Sequence, residues 1–170
     1  SLNKIKKEVK NIETKLVSID GSTKLTALTL FVNGEYKDHT LLDYHKDKNA
    51  DSRFKSMSND VWDFLNVYNP HIVYIEDTYS GQNKQTSLVL TRLQGVIYAW
   101  CMTHQCEFNT IKASSWRKEL NFNQGKNVSR PQLKEQAIKY VLDKYKISVT
   151  DDEADSICIG DAVIKKYSKK

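Results

Sequence analysis

The 170-residue chain is 39% hydrophobic and 28% charged, with a formal net charge of +5, which places it among ordinary globular proteins of about one domain. Chains of this length typically bury enough surface to fold without disulfides or a structural metal. No apolar run approaches the roughly 20 residues of a membrane span, and the first residues lack the apolar core of a signal peptide. The three cysteines show no disulfide-like spacing. We therefore expect an intracellular, cytoplasmic protein with no membrane partner.

The first third of the chain has the pattern of a strand hairpin. A short apolar run over residues 16–20 ends at Gly21, and a second strand-like segment covers residues 25–32. An Asn-Gly pair then separates this segment from a third one, residues 36–44. Asn-Gly between two strand-like segments is a strong hairpin signal. The pattern predicts three consecutive antiparallel strands.

Helices and strands alternate in the middle of the chain. Apolar residues recur with a helical period over residues 51–68, and residues 72–75 form the continuous apolar run of a buried parallel strand. A long helix is predicted over residues 86–103, where Gly95 indicates close packing against a neighbouring element. Residues 107–111 are predicted to form another strand.

Three helices are predicted after the last strand. They cover residues 114–120, then the segment from a Ser129 cap to about Tyr145, and finally residues 151–167. Antiparallel strands followed by alternating helix and parallel strand predict an α/β fold with a mixed sheet flanked by helices. No linker divides the chain, so we expect residues 1–170 to form a single domain.

A basic stretch lies in the second half of the chain. Between Lys112 and Lys146 there are nine basic and three acidic residues, so this stretch carries +6 while the rest of the chain sums to −1. A local basic excess is the electrostatic footprint of a polyanion-binding protein. A solvated helix face would have the same composition, and charge alone leaves both interpretations open.

Acidic residues end two of the predicted strands. Asp20 and Glu76 each lie at the carboxyl end of an apolar strand, which is where open α/β sheets place their sites. A charge at a buried strand end is costly unless it is paired or binds a metal. Acids also end strands that emerge into solvent, so a structural interpretation of either residue alone stays open.

The last helix adds further acids in its first turns. The helix macrodipole favours acids at an amino terminus, which accounts for Asp151. Asp152 and Asp155 lie three residues apart and therefore on one face of the helix. Together with the two strand acids they would form an all-oxygen cluster suited to Mg²⁺ or Mn²⁺ and to phosphodiester hydrolysis by two metal ions.

The three acid-bearing segments resemble those of the RuvC-type Holliday junction resolvases of the ribonuclease H-like superfamily, in particular the resolvases of phages of Gram-positive bacteria. The segments are residues 18–22 (SIDGS), 74–79 (YIEDTY) and 152–160 (DEADSICIG). Their order and spacing match the family over most of the chain. One departure is that Asp20 directly precedes Gly21, whereas bacterial members usually have a residue between the first Asp and the Gly-Ser.

This resemblance implies a ribonuclease H-like fold and a hydrolase that resolves four-way or other branched DNA junctions in recombination. It implies paired nicks, a homodimer and, for a phage protein, action inside an infected bacterium. The catalytic acids would be Asp20, Glu76, Asp152 and Asp155, which would bind Mg²⁺ or Mn²⁺, two ions per active site.

The resemblance also implies residues that contact DNA. Tyr79 matches an aromatic residue that meets bases at the junction centre, and Lys112 matches a lysine near the scissile phosphate. Further along the chain, basic side chains resemble those that hold the DNA arms: Lys118, Lys126, Arg130 and Lys134.

Other functions fit parts of the same pattern. A less selective ribonuclease H-like nuclease, acting on flaps or RNA/DNA hybrids, would need the same acids. A non-catalytic junction-binding protein would need only the basic stretch. The Asp-Gly-Ser-Thr segment at Asp20 also resembles the first phosphate loop of the actin and sugar-kinase ATPases, but those proteins need two such domains. A zinc site at Cys101, His104 and Cys106 would lack a fourth ligand.

Overall fold

The computed structural model describes residues 13–77 and 83–169. One five-stranded sheet has the order β3-β2-β1-β4-β5. Its strands are β1 (Lys15–Gly21), β2 (Leu25–Val32), β3 (Glu35–Asp43), β4 (Ile72–Glu76) and β5 (Glu107–Ile111). The helices are α1 (Ala50–Tyr68), α2 (Lys84–Thr103), α3 (Ala113–Glu119), α4 (Arg130–Tyr145) and α5 (Asp151–Ser168). The predicted mixed sheet flanked by helices is confirmed, and every predicted element ends within two residues of its observed bounds.

Strand β1 lies at the centre of the sheet and sets its mixed character. It pairs antiparallel with β2, where Ser18 is opposite Thr29, and parallel with β4, where Ile19 is opposite Ile75. The β2–β3 turn places Asn33 and Gly34 at positive φ, 52° and 80°, as a tight hairpin requires. Because β1 and β4 are parallel, their carboxyl ends lie at the same edge of the sheet.

Two hydrophobic clusters cover the two faces of the sheet. Val17 and Ile19 of β1 pack in the cluster that contains the buried residues of α1 and α2. Leu16 of β1 instead packs in the cluster that contains α3, α4 and α5. Successive side chains of a strand point to opposite faces, so Ser18 and Asp20 share the face of Leu16. The strand alternation therefore aims Asp20 toward α5.

Helix α5 approaches the sheet closely because small residues line the contact. The Ser18 hydroxyl donates to the Ser156 carbonyl at 2.6 Å, and the hydroxyls of Thr29 and Ser156 lie 2.7 Å apart. A Cβ added to Gly160 would lie 2.0 Å from the Phe31 ring. This contact fixes the position of α5 along the direction of β1. It therefore also fixes where the acids in the first turns of α5 lie.

Helix α4 is attached to α5 through a buried carboxylate. Asp161 is 5% exposed and accepts hydrogen bonds from Tyr140 at 2.9 Å, Lys144 at 2.9 Å and Tyr145 at 2.6 Å. Three donors satisfy the charge that burial would otherwise penalise. This network holds the two helices in one relative position.

The prediction of close packing at Gly95 is wrong. Gly95 is exposed, and a Cβ added there would meet nothing within 4 Å. A helical glycine has the same sequence signature whether it faces solvent or a neighbour. Within the described ranges, no helix is long and apolar enough to cross a membrane.

These two glycines give a matched test of the packing. Gly160→Ala should lower the free energy of unfolding by about 1–3 kcal/mol, since the added methyl group would overlap Phe31. Gly95→Ala should raise it by about 0.5–1 kcal/mol, because alanine loses less entropy in an exposed helix. Urea unfolding of both variants measures the difference, and equal effects would contradict the close approach of α5.

Candidate active site

Four acidic side chains from three elements meet at one edge of the sheet. Asp20 lies near the end of β1 and Glu76 ends β4, while Asp152 and Asp155 lie in the first turns of α5. All four side chains are partly buried. The structure thus brings together all the acids that the sequence analysis selected.

The electrostatics show how close these acids are. Burial is the largest cause of a raised pKa at every one of the four carboxyl groups. Repulsion between ionised carboxylates acts as well, and the members of all six pairs interact. The pKa of Asp155 is raised to about 7, by burial first and then by the charge of Glu76. The four groups therefore form one coupled cluster.

A side-chain hydrogen bond links Asp20 and Asp152 within this cluster. The hydrogen bond between Asp20 and Asp152 raises the pKa of Asp20, after burial and the neighbouring charges, and favours the ionised form of Asp152. Without a cation, protonation is the means by which four neighbouring carboxylates reduce their repulsion.

The acids beside the cluster on α5 have structural partners. Glu153 belongs to a capping box, in which the Thr150 backbone and side chain both donate to its carboxylate, at 3.1 and 2.8 Å. Its other oxygen lies 2.7 Å from Nε2 of His39 on β3. Asp151 pairs with Lys134 at 2.6 Å. These contacts fix the amino terminus of α5, which carries Asp152.

Helix α3 supplies two residues that the sequence analysis missed. The Trp116 indole is completely buried and donates to a Glu76 carboxylate oxygen at 2.9 Å. The positive charge of Arg117 opposes the raised pKa of both Glu76 and Asp155. A sequence signal was available, because α3 directly follows β5, whose carboxyl end lies at the same sheet edge as Glu76.

The predicted DNA-contacting residues divide into two groups. Arg130 and Lys134 lie at the acid cluster, since their charges act on Glu76 and Asp152 respectively. The other three are exposed around α3 and in the turn before α4: Lys112, Lys118 and Lys126. Tyr79 lies outside the described residues.

The loop that carries Lys126 is anchored to α4. The Gln136 side chain accepts from the Asn123 backbone N–H at 2.7 Å and donates to its carbonyl at 2.9 Å. The Gln124 amide also donates to the Ser114 carbonyl at 3.0 Å. Lys126 therefore extends from a loop that is fixed to the helices on both sides.

The donor set of the cluster suits a hard divalent cation. Every donor is a carboxylate oxygen, the ligand type preferred by Mg²⁺ and Mn²⁺, and a cation would offset the repulsion that raises the four pKa values. As the side chains stand, no group of three or more His, Cys, Asp or Glu residues in the described ranges is arranged to hold a metal ion. The fit therefore rests on residue type, burial and charge.

The Cys101, His104 and Cys106 group has packing contacts instead. His104 stacks on the Trp100 ring with centroids 4.1 Å apart, and its Nδ1 lies 2.8 Å from the Trp100 carbonyl oxygen. Both cysteines are free and buried. These contacts favour a structural role for the group.

The mixed five-stranded sheet flanked by helices is a ribonuclease H-like fold, and partly buried acids with cations beside them lie at one of its edges. The family described as crossover junction endodeoxyribonuclease RuvC matches residues 33–162. The chain therefore belongs to the RuvC family, and its function is that of a junction-resolving endonuclease. No curated protein sequence matches the chain.

Solved structures share the fold over nearly the whole chain. Thermus thermophilus RuvC in complex with a Holliday junction substrate matches with a TM-score of 0.70 and 9% identity, over 92% of this chain and 96% of that one. The yeast mitochondrial Holliday junction resolvase Ydc2 matches with a TM-score of 0.60 and 17% identity, over 92% and 80%. The Fowlpox virus resolvase, in complex with Holliday junction DNA, matches with a TM-score of 0.55 and 18% identity, over 91% and 99%.

The raised pKa of Asp155 predicts how the stability of the metal-free protein depends on pH. The folded carboxyl group titrates at about pH 7, whereas an unfolded Asp titrates near pH 4. Between these values the folded state binds more protons than the unfolded state, so stability falls as the pH rises. Asp155→Asn should remove this loss and raise the free energy of unfolding at about pH 7.5 by about 1–4 kcal/mol. Urea unfolding in EDTA across this pH range measures the effect.

Asp143→Asn is the matched control. Asp143 is exposed and pairs with Lys139 one helical turn away at 2.6 Å. The free energy of unfolding of Asp143→Asn should depend on pH in the same way as that of the wild-type protein. If Asp155→Asn also left it unchanged, Asp155 would not belong to a repulsive buried cluster.

Proposed function

We propose that this chain resolves four-way DNA junctions with Asp20, Glu76, Asp152 and Asp155 as its catalytic acids. The supporting observation is their convergence: two strands and one helix bring four like charges to one partly buried point. Such an arrangement costs folding stability. Metal binding by the four acids would explain why the protein tolerates this loss of folding stability.

The four acids would hold Mg²⁺ or Mn²⁺, with two ions per active site. Bound divalent cations supply Lewis acidity to a phosphodiester and activate water for its hydrolysis. Carboxylates ligate metals in their ionised form, so metal binding would favour the ionised form of all four acids. Trp116 holds Glu76 in place through its indole N–H.

The basic residues would hold the arms of the branched DNA. Arg130 and Lys134 begin α4 beside the acids, and Lys126 projects from the anchored loop before it. Arg130 and Lys134 lie next to the acid cluster. Phosphates bound by these residues would therefore place the DNA backbone close to the acids. Contacts of this kind position DNA without reading its sequence.

Paired nicks on opposite strands need two active sites, and we propose that a homodimer of this chain supplies them. Helix α2 is the candidate contact surface. Its large apolar side chains Leu88, Tyr98 and Met102 are 43%, 50% and 63% exposed. Exposed apolar residues on one helix favour burial against a second copy.

Substitution of the acids tests the catalytic assignment. Asn at Asp20, Asp152 or Asp155, or Gln at Glu76, should abolish junction cleavage while DNA binding is kept or improved, since negative charge near phosphate is removed. The assay uses mobile and fixed four-way junctions with Mg²⁺, Mn²⁺ or EDTA, beside duplex, flap and RNA/DNA hybrid substrates. Mapping the cuts on every strand shows whether the nicks are paired.

Asp51→Asn is the control for this series. Asp51 also lies in the first turn of a helix, α1, but it is exposed and pairs with Lys55 at 2.9 Å. Its variant should cleave junctions like the wild type. Full activity of Asp155→Asn would remove that residue from the catalytic set and favour Asp151 or Glu153.

The basic residues are tested through the salt dependence of binding. Lys126→Gln should weaken binding to all DNA substrates similarly and reduce the slope of log affinity against log salt by about one unit, because one phosphate contact is lost. Lys55→Gln is the control on α1, on the opposite face of the sheet. An unchanged affinity and slope for Lys126→Gln would make Lys126 a solvated surface residue.

Tyr79 is proposed to stack on a base at the junction centre. Stacking on an unpaired base is worth about 1–3 kcal/mol, so Tyr79→Ala should cleave junctions at least about tenfold more slowly. Tyr79→Phe keeps the ring and should retain activity. Flap substrates should be affected less, and an equal loss on every substrate would contradict the stacking role.

A further inference from the structure

Trp116 and Arg117 form a unit at the acid cluster. The buried Trp116 indole donates to Glu76, and the Arg117 guanidinium lies over the same indole ring, 5.1 Å from its centroid. One tryptophan therefore contacts both an acid of the cluster and the cation beside it. This geometry ties the position of the Arg117 guanidinium to that of Glu76.

Among the described residues, the Arg117 side chain has hydrogen-bonding capacity that no partner satisfies. Its Nε is buried and has no hydrogen-bond partner. No ion pair or side-chain hydrogen bond of the described residues includes Arg117, although its charge acts on Glu76 and Asp155. A guanidinium beside acids normally pairs with one of them in a bidentate contact. Here the N–H donors of Arg117 lie near the acids but form no hydrogen bond with them.

Lys134, another cation at the site, differs from Arg117 in this respect. Lys134 pairs with Asp151 at 2.6 Å, whereas Arg117 forms no ion pair with any residue that the structure describes. An unpaired buried N–H is unfavourable, so a ligand that supplies an acceptor would remove the penalty. The acceptor expected next to catalytic acids of a nuclease is a phosphate oxygen of the DNA backbone.

We propose that Arg117 is a further catalytic residue, whose guanidinium binds the scissile phosphate through its N–H donors. This inference rests on the proposed function, in which the neighbouring acids are the hydrolytic centre. A planar guanidinium matches two phosphate oxygens at once, and its contact strengthens as negative charge builds up on them during hydrolysis. Arg117 therefore acts on the rate of cleavage more than on the affinity for DNA.

The test compares Arg117→Ala and Arg117→Lys with the wild type in single-turnover cleavage of a four-way junction. Loss of a donor to the transition state is expected to slow Arg117→Ala by about 100-fold, with junction affinity within about twofold. Arg117→Lys keeps the positive charge but loses the planar pair of N–H donors, and its cleavage rate is expected to be intermediate. Added guanidinium ion should restore part of the Arg117→Ala rate, compared with the same concentration of sodium chloride. Circular dichroism and urea unfolding check that both variants fold.

Arg53 offers a matched control. Its Nε is also buried and without a hydrogen-bond partner, but it lies on α1, where its Nη1 donates to the Asp47 carbonyl at 2.8 Å. Helix α1 covers the opposite face of the sheet from α3. Arg53→Ala should therefore cleave at the wild-type rate and show no response to guanidinium.

A titration with Mg²⁺ separates this role from a purely electrostatic one. The Arg117 charge acts on Glu76 and Asp155, so the half-saturating Mg²⁺ concentration of Arg117→Ala is expected to shift. If Arg117 binds phosphate, the cleavage rate of Arg117→Ala at saturating Mg²⁺ stays about 100-fold below the wild-type rate. A rate loss that excess Mg²⁺ fully restores would overturn the proposal, because Arg117 would then act only through the acids. A wild-type rate for Arg117→Ala, or a loss that guanidinium does not relieve, would also overturn it. Absence of cleavage by the wild type would instead refute the proposed function itself.

Discussion

The contact between α5 and the centre of the sheet is the constraint on which the site depends. Ser156 and Gly160 let the helix approach β1 and β2, through a 2.6 Å hydrogen bond from Ser18 and direct contact with Phe31. A helix rises only about 1.5 Å per residue, so Asp155 lies immediately beyond the contact point. The packing of small residues in the core therefore sets the distance between the acids of the helix and Asp20.

The same packing concentrates negative charge that the fold must tolerate. Burial raises the pKa of all four acids, and repulsion from neighbouring carboxylates raises it further. The Trp116 N–H and the Arg117 charge each reduce this penalty in part. In the free protein the cluster is thus a source of instability. A bound cation would reduce the repulsion between the acids, and a bound phosphate would accept a hydrogen bond from Arg117. Ligand binding would therefore offset the stability that the free protein loses at this site.

Much of the fold was predictable because local patterns agree with the tertiary structure. Short apolar runs, a helical hydrophobic period, the Asn33-Gly34 turn and the Ser129 cap indicate where elements begin and end. The glycines show the limit of such patterns. Gly95 and Gly160 both lie inside helices, and only the arrangement of the sheet decides that Gly160 meets Phe31 while Gly95 faces solvent.

The sequence by itself identified the four acids and the basic stretch. Acids at the ends of two apolar strands and on one helix face stand out by position, and an excess of basic residues can be counted along the chain. The tertiary structure alone decided how they are used. It pairs Lys134 with Asp151, assigns Glu153 to the helix cap, and places the Trp116–Arg117 unit against Glu76. These outcomes depend on side-chain distances between elements far apart in the chain, and periodicity along the sequence carries no information about such distances.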